Sequence, residues 1–280
     1  MRPISATIDL GALRHNYRVA RSRAPRSAAI AVIKANAYGH GVERAARALS
    51  DADGFAVVEL EAAVRLREAG YGQRIVLLEG FFEPRELSVI VAHKLSTVIH
   101  SAEQIDMMGN LPAGAALDVL VKLNTGMNRL GFQPDDFPAA LTRIRNHPGV
   151  GAITLMTHFA NADDERGVAW QLEIFARATG EASLPRSLAN SAAILRYPET
   201  HAESVRPGIM LYGCSPFAES TGTDLGLESA MTLASEIIAV RELAAGDTVG
   251  YGGIYVAQAR RRIGVVACGY ADGYPRHAPT

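Results

Sequence analysis

Eight short runs of apolar, β-favouring residues alternate with amphipathic stretches through the first four-fifths of the chain, and this alternation restricts the fold more than any other feature. The runs are Ala28 to Ile33, Phe55 to Val58, Ile75 to Leu78, Leu95 to Ile99, Leu117 to Leu123, Ile153 to His158, Ser187 to Asn190, and Ser204 to Arg206 with Gly208 to Leu211 beyond. Most are continuously apolar rather than alternating, as parallel strands buried on both faces require. Helical patterns fill the gaps: Val42 to Leu49, Glu59 to Ala69, Pro84 to Ala92, Ser101 to Met108, Pro134 to Arg145 and Asp164 to Thr179. Glu59, Ser101 and Asp135 suit helix starts, and Gly70 and Gly109 suit stops. Strands and helices in this order predict an α/β fold, a (β/α)8 TIM barrel. An open doubly wound sheet usually has fewer strands, and no Gly-x-Gly-x-x-Gly follows the first run.

The texture changes after residue 226. Met231 to Val240, Asp247 to Val256 and Arg262 to Cys268 read as strands joined by turns such as Ala245-Gly246-Asp247. The expected division is a barrel with a short N-terminal segment over residues 1–226 and a β-rich domain over 227–280. Three strands make a poor sheet, and the chain ends at His277-Ala278-Pro279-Thr280, so either a partner chain completes this domain or the sequence is a fragment, and a fragment is the expectation. The 280 residues carry 28 basic and 29 acidic side chains, so no charge surplus asks for nucleic acid or an anionic membrane. No apolar run approaches a membrane span, and the N-terminus lacks a signal core. Cys214 and Cys268 fit no metal-ligand pattern and are expected to be reduced, buried thiols of a cytoplasmic protein.

In a barrel enzyme the chemistry sits at the C-terminal ends of the strands. The first run ends at Lys34, whose amine would point into the barrel mouth as a nucleophile or snorkel to solvent. The fifth ends at Lys122 and leads to Arg129; two cations there imply an anionic ligand, although Arg129 could simply brace a loop. The sixth ends at His158, equally suited to a structural hydrogen bond or to catalysis. The seventh and eighth supply Asn190, Ser191, Arg206 and Gly208, where many barrels bind phosphate. Ser191 opens the apparent helix Ala192 to Arg196 and could instead only cap it. Gly208 permits close approach of a ligand or merely a tight turn.

Together these residues resemble a known family. Val32-Ile33-Lys34-Ala35-Asn36-Ala37-Tyr38-Gly39-His40-Gly41, Asn124-Thr125-Gly126-Met127-Asn128-Arg129-Leu130-Gly131, Thr157-His158-Phe159-Ala160 and Ala189-Asn190-Ser191-Ala192-Ala193 resemble alanine racemases in family order. So do Arg206-Pro207-Gly208-Ile209-Met210-Leu211-Tyr212-Gly213, Val249-Gly250-Tyr251-Gly252-Gly253 and Gly269-Tyr270-Ala271-Asp272-Gly273. The resemblance implies that Lys34 carries pyridoxal 5'-phosphate as a Schiff base. Tyr38, Ser191, Gly208 and Ile209 would hold its phosphate, Arg206 would face its ring nitrogen, and Leu78 and Asn190 would complete the cofactor site. Arg129 would meet the ring phenolate and the substrate carboxylate, and Lys122 would be carbamylated or else paired with an acid.

Inversion of an α-carbon needs a proton removed from one face and delivered to the other. The resemblance gives these tasks to Lys34 and Tyr251, with His158 and Arg206 supporting the tyrosine; on its own, Tyr251 reads as a turn aromatic. It also implies a head-to-tail homodimer in which Tyr251 and Tyr270 act in trans, Tyr270 lining the substrate path or else packing in a core. The family pattern continues beyond Thr280, so this chain alone is expected to dimerise and racemise weakly. A non-catalytic cofactor carrier and a decarboxylase on the same barrel are the alternatives. Arg129, Tyr251 and the β-rich tail oppose the first. Arg206, where a decarboxylase would pair an acid with the ring nitrogen, opposes the second.

Overall fold

Continuous apolar runs bury both faces, and the computed structural model, which describes residues 2–276, closes them into a barrel. The strands are β1 (Ala28–Val32), β2 (Gly54–Val57), β3 (Arg74–Leu77), β4 (Ser96–Ile99), β5 (Leu117–Lys122), β6 (Val150–Met156), β7 (Arg186–Ser187) and β8 (Ser204–Val205). Each pairs in parallel with the next, and β8 returns to β1 with Ala28 opposite Ser204. Ile30, Val32, Ala56, Val76, Val98, Leu120 and Met156 meet in one buried cluster. Because side chains alternate across a strand, intervening residues such as Phe55, Ile75 and Val119 pack on the other face and are equally buried. Packing between strands is close at Gly54, where an added Cβ would lie 2.7 Å from the Arg74 carbonyl oxygen.

The helices between strands are α2 (Val42–Ala48), α3 (Leu60–Glu68), α4 (Glu86–Ala92), α5 (Ala102–Met107), α6 (Phe137–Arg145), α7 (Ala169–Thr179) and α8 (Ser191–Arg196). An additional helix, α1 (Leu10–Arg23), precedes the barrel and is absent from the sequence expectation. Asp9 caps it, its carboxylate accepting from the backbone N–H groups of Gly11 and Ala12 at 2.7 and 3.0 Å. Two starts differ from expectation. Asp164 lies in a turn, where its carboxylate holds Asn161 and the Arg166 backbone, and α7 begins at Ala169. Asp136 rather than Asp135 precedes α6.

Residues 9–230 form this unit, and residues 2–8 with 231–276 form a second. The sequence reading put the N-terminal segment with the barrel, but Ile4–Ile8 pairs antiparallel with Met231–Ser235. The expected single strand Met231 to Val240 is broken, because the chain changes sheet at Glu236 and Ile237–Leu243 pairs with Arg261–Val266. Asp247 to Val256 is likewise not one strand. Thr248–Val249 and Tyr255–Val256 pair across a turn containing Gly250, Gly252 and Gly253, all at positive φ. His277 to Thr280 lie outside the described residues. Cys214 and Cys268 are free, yet neither is buried as expected: Cys214 is exposed in a loop past Gly213, and Cys268 is half-buried. Among the described residues no helix is long and apolar enough to cross a membrane.

The barrel interior predicts its own weak point. Leu120→Ala would leave a cavity among Val98, Met156 and their neighbours, and urea unfolding should show a loss of about 2–5 kcal/mol.

Candidate active site

The mouth of the barrel encloses a cavity of about 460 Å³. Its lining brings together Lys34, Tyr38, Leu78, Lys122, Arg129 and His158. Asn190, Ser191, Arg206 and Ile209 line it too, so ten residues singled out in the sequence share one space. Tyr251 and Tyr270 belong to the other unit, where both are exposed, at 83 % and 61 %; Tyr270 is not packed in a core there. Two acids on the cavity wall, Glu79 and Asp163, escaped the sequence reading. Glu79 follows β3 by two residues, so the strand-end rule could have found it.

Lys34 leaves β1 through an unusual turn. Ala35, Asn36, Ala37 and Tyr38 have φ between 50° and 54°, a single left-handed turn. Each non-glycine residue there costs about 1–2 kcal/mol, so the surroundings must enforce it. The Ala37 and Gly39 amides donate to the carbonyls of Ile33 and Ala35. The Asn36 side chain accepts from the Val42 N–H at 2.9 Å. His40 Nδ1 lies 3.1 Å from the carbonyl oxygens of both Ala37 and Tyr38, so it carries the proton. The Tyr212 ring stacks on Tyr38 and His40, each at 4.6 Å, and its hydroxyl donates to the Val32 carbonyl.

Elsewhere on the cavity wall, Ser191 is the first residue of α8 and does not cap it; the Asn190 side chain does, accepting from the Ala193 N–H at 3.0 Å. Ser191 Oγ is thereby free to accept from the Gly208 N–H at 2.9 Å. A Cβ on Gly208 would come within 3.1 Å of the Tyr38 hydroxyl. Glycine here serves close approach, since its φ of −122° is open to any residue. Two hydroxyls and a bare backbone form a cradle suited to phosphate.

Arg206 is buried and, among the described residues, pairs with no carboxylate. It donates to Ser187 Oγ and the Thr157 carbonyl, both at 2.7 Å, and to the Leu188 carbonyl at 3.2 Å. Burial lowers its pKa only to about 10, so it stays charged. A weak contact runs from its guanidinium to His158 Nδ1, 3.5 Å away. An arginine only donates, so His158 accepts at Nδ1 and a neutral ring carries its proton on Nε2. Burial, and then the charges of Arg206, Lys122, Arg129 and Lys34, hold the His158 pKa well below its ordinary value. Burial and the charges of Arg206 and Arg129 also push Lys122 down to about 8, and Glu79 opposes the shift. The Tyr38 hydroxyl is raised by burial, with Arg129 countering.

A parallel barrel whose mouth brings together a strand-end lysine, a hydroxyl-and-glycine cradle and a buried arginine fits a pyridoxal-phosphate type of barrel enzyme. The comparisons agree. The family description "Alanine racemase, N-terminal domain" matches residues 8–216, and "Alanine racemase, C-terminal domain" matches residues 230–280. An alanine racemase of Nitrosospira multiformis is 58% identical over 282 aligned residues, covering 100% of this chain and 79% of the relative. That of Nitrosomonas eutropha is 55% identical with the same coverage. The crystal structure of the biosynthetic alanine racemase from Pseudomonas aeruginosa is similar at a TM-score of 0.96 and 47% identity, over 100% of this chain and 79% of that one. The chain belongs to the alanine racemase family of amino-acid isomerases.

Lys122 gives the site a pH-dependent cost. Its folded pKa of about 8 lies below its ordinary 10.5, so the unfolded chain binds more protons between those values. The penalty is fully present below pH 8 and fades as pH rises towards 10.5. In CO2-free buffer, Lys122→Met should therefore be the more stable protein at pH 7, with the difference shrinking above pH 8 in denaturant titrations.

Proposed function

We propose that this chain interconverts L- and D-alanine, with pyridoxal 5'-phosphate held by Lys34, Tyr38, Ser191, Gly208 and Ile209, and with Lys34 and Tyr251 as its two bases. One observation carries the reading: Lys34 and the charged Arg206 share a cavity with the hydroxyl-and-glycine cradle. When bound, the cofactor withdraws electrons from the substrate's α-carbon and makes its hydrogen acidic.

The chain's own groups do the rest. The Lys34 amine exchanges a proton with one face of the α-carbon, and the Tyr251 hydroxyl with the other. Arg206 would sit at the ring nitrogen of a bound cofactor, and because it cannot give up its proton it would restrain the electron withdrawal and disfavour side reactions. Arg129 holds the substrate carboxylate by a paired, charge-assisted contact. His158 offers its Nε2–H to the cavity and, with Arg206, supports the tyrosine. Leu78 and Asn190 bound the cofactor site.

Lys122 is carbamylated in this reading. Its neutral amine attacks CO2, a nitrogen–carbon bond forms and a proton leaves, placing a negative charge beside Arg129. A pKa of about 8, and the absence of any hydrogen-bond partner among the described residues, support this. The active form is a cytoplasmic homodimer in which Tyr251 and Tyr270 of each subunit serve the other's cavity, consistent with their exposure.

Incubation with pyridoxal phosphate and L-alanine in deuterated water tests the assignment. D-alanine carrying deuterium at the α-carbon is expected, and Lys34→Ala should depress its formation by about 10³-fold or more. Undiminished exchange in that variant would remove Lys34 from its role.

A further inference from the structure

Gln171 sits in the first turn of α7, fully buried, and every polar atom of its side chain is used. Its Oε1 accepts from the Ala160 N–H at 2.7 Å. Its Nε2 donates to Thr125 Oγ1 at 2.8 Å and to the His158 carbonyl at 3.3 Å. Thr125 Oγ1 lies 2.8 Å from Thr157 Oγ1, which in turn donates to the Leu123 carbonyl at 2.9 Å. Counting protons fixes the direction. Thr157 has one hydroxyl hydrogen and gives it to Leu123, so it accepts from Thr125, and Thr125 accepts from Gln171.

This one-way chain joins two loops of the cavity. At one end is the segment after β5 that carries Thr125, Met127 and Arg129. At the other is the segment after β6, where the Thr157 carbonyl receives the Arg206 guanidinium and His158 follows. The adjacent side chain on α7 makes an independent contact with the first loop. Trp170 packs on Gly126 so closely that a Cβ there would lie 2.2 Å from the ring, and Arg166 covers the ring at 3.9 Å.

We infer that Gln171 is a positioning residue for racemisation, setting the distance between the Arg129 loop and the His158–Arg206 pair through the Thr125–Thr157 hydroxyl chain. The inference rests on the proposed function, in which those groups flank the substrate. The amide is essential to it. Glutamate has nearly the same shape but only accepts when ionised, so Thr125 would turn its hydrogen towards the carboxylate and leave Thr157 without a donor.

The test uses the full chain loaded with pyridoxal phosphate. Loaded sites are counted by the chromophore that borohydride fixes to the protein, and turnover is expressed per loaded site. Propionate, a carboxylate with no amine to react, probes the Arg129 end through the fluorescence of Trp170, the chain's single tryptophan. Gln171→Glu is expected to lose roughly 100-fold in kcat per loaded site, as a displacement of about 1 Å would cause, and to bind propionate more weakly. Thr157→Val should lose a similar factor, and Thr157→Ser should recover most of it. The double variant Gln171→Glu, Thr157→Val should fall within about threefold of the worse single variant, because both cut one chain.

Fewer loaded sites with unchanged turnover at each would mean a purely structural role and would overturn the inference, as would losses that multiply in the double variant. A wild-type protein that loads the cofactor but forms no D-alanine would defeat the functional reading instead. Propionate binding would then decide: unchanged affinity in Gln171→Glu sinks the positioning role, and weakened affinity supports it.

Discussion

Four cations, Lys34, Lys122, Arg129 and Arg206, face one enclosed space, and their mutual repulsion governs the rest of the site. Such a cluster is unfavourable without anions, and Glu79 and Asp163 on the same cavity wall offset part of it. Arg206 is satisfied by a hydroxyl and two carbonyls, which supply dipoles but no charge. His158 yields by staying neutral, and Lys122 by holding its proton weakly. Anionic groups are the natural electrostatic complement of a cavity with this charge.

The barrel was legible because its signal is redundant. Eight buried parallel strands need eight apolar runs, and even the two-residue strands meet runs the sequence marks, β8 lying within its run and β7 overlapping its run at Ser187. Strand ends then pointed to Lys34, Lys122, His158, Asn190 and Arg206 without any knowledge of three-dimensional contacts. The β-rich tail was harder to read. Two antiparallel strands that meet at a sheet change look like one long strand in sequence, and only the pairing of Ile4–Ile8 with Met231–Ser235 separates them.

Other features could not be read because their causes are distant in sequence. The link between Thr125 and Gln171 spans 46 positions, and neither residue type announces a buried network. Asn190 and Ser191 are both acceptable caps, and only the position of Gly208, 17 residues beyond Ser191, decides that the asparagine caps while the serine turns to the cradle. Glu79 was missed for a simpler reason: attention to apolar runs stops at the last apolar residue.

The left-handed turn after β1 carries a consequence for how this site is completed. Four residues in a mirror-image conformation are costly, and their local hydrogen bonds are joined by support from far along the chain. The ring and hydroxyl that clasp them belong to Tyr212, which follows the last barrel strand and bonds back to Val32 across 180 positions. The lysine's neighbourhood is therefore complete only when Tyr212, 180 positions on, has packed against the end of β1. The shape of the reactive turn thus depends on closure of the barrel as well as on its own residues.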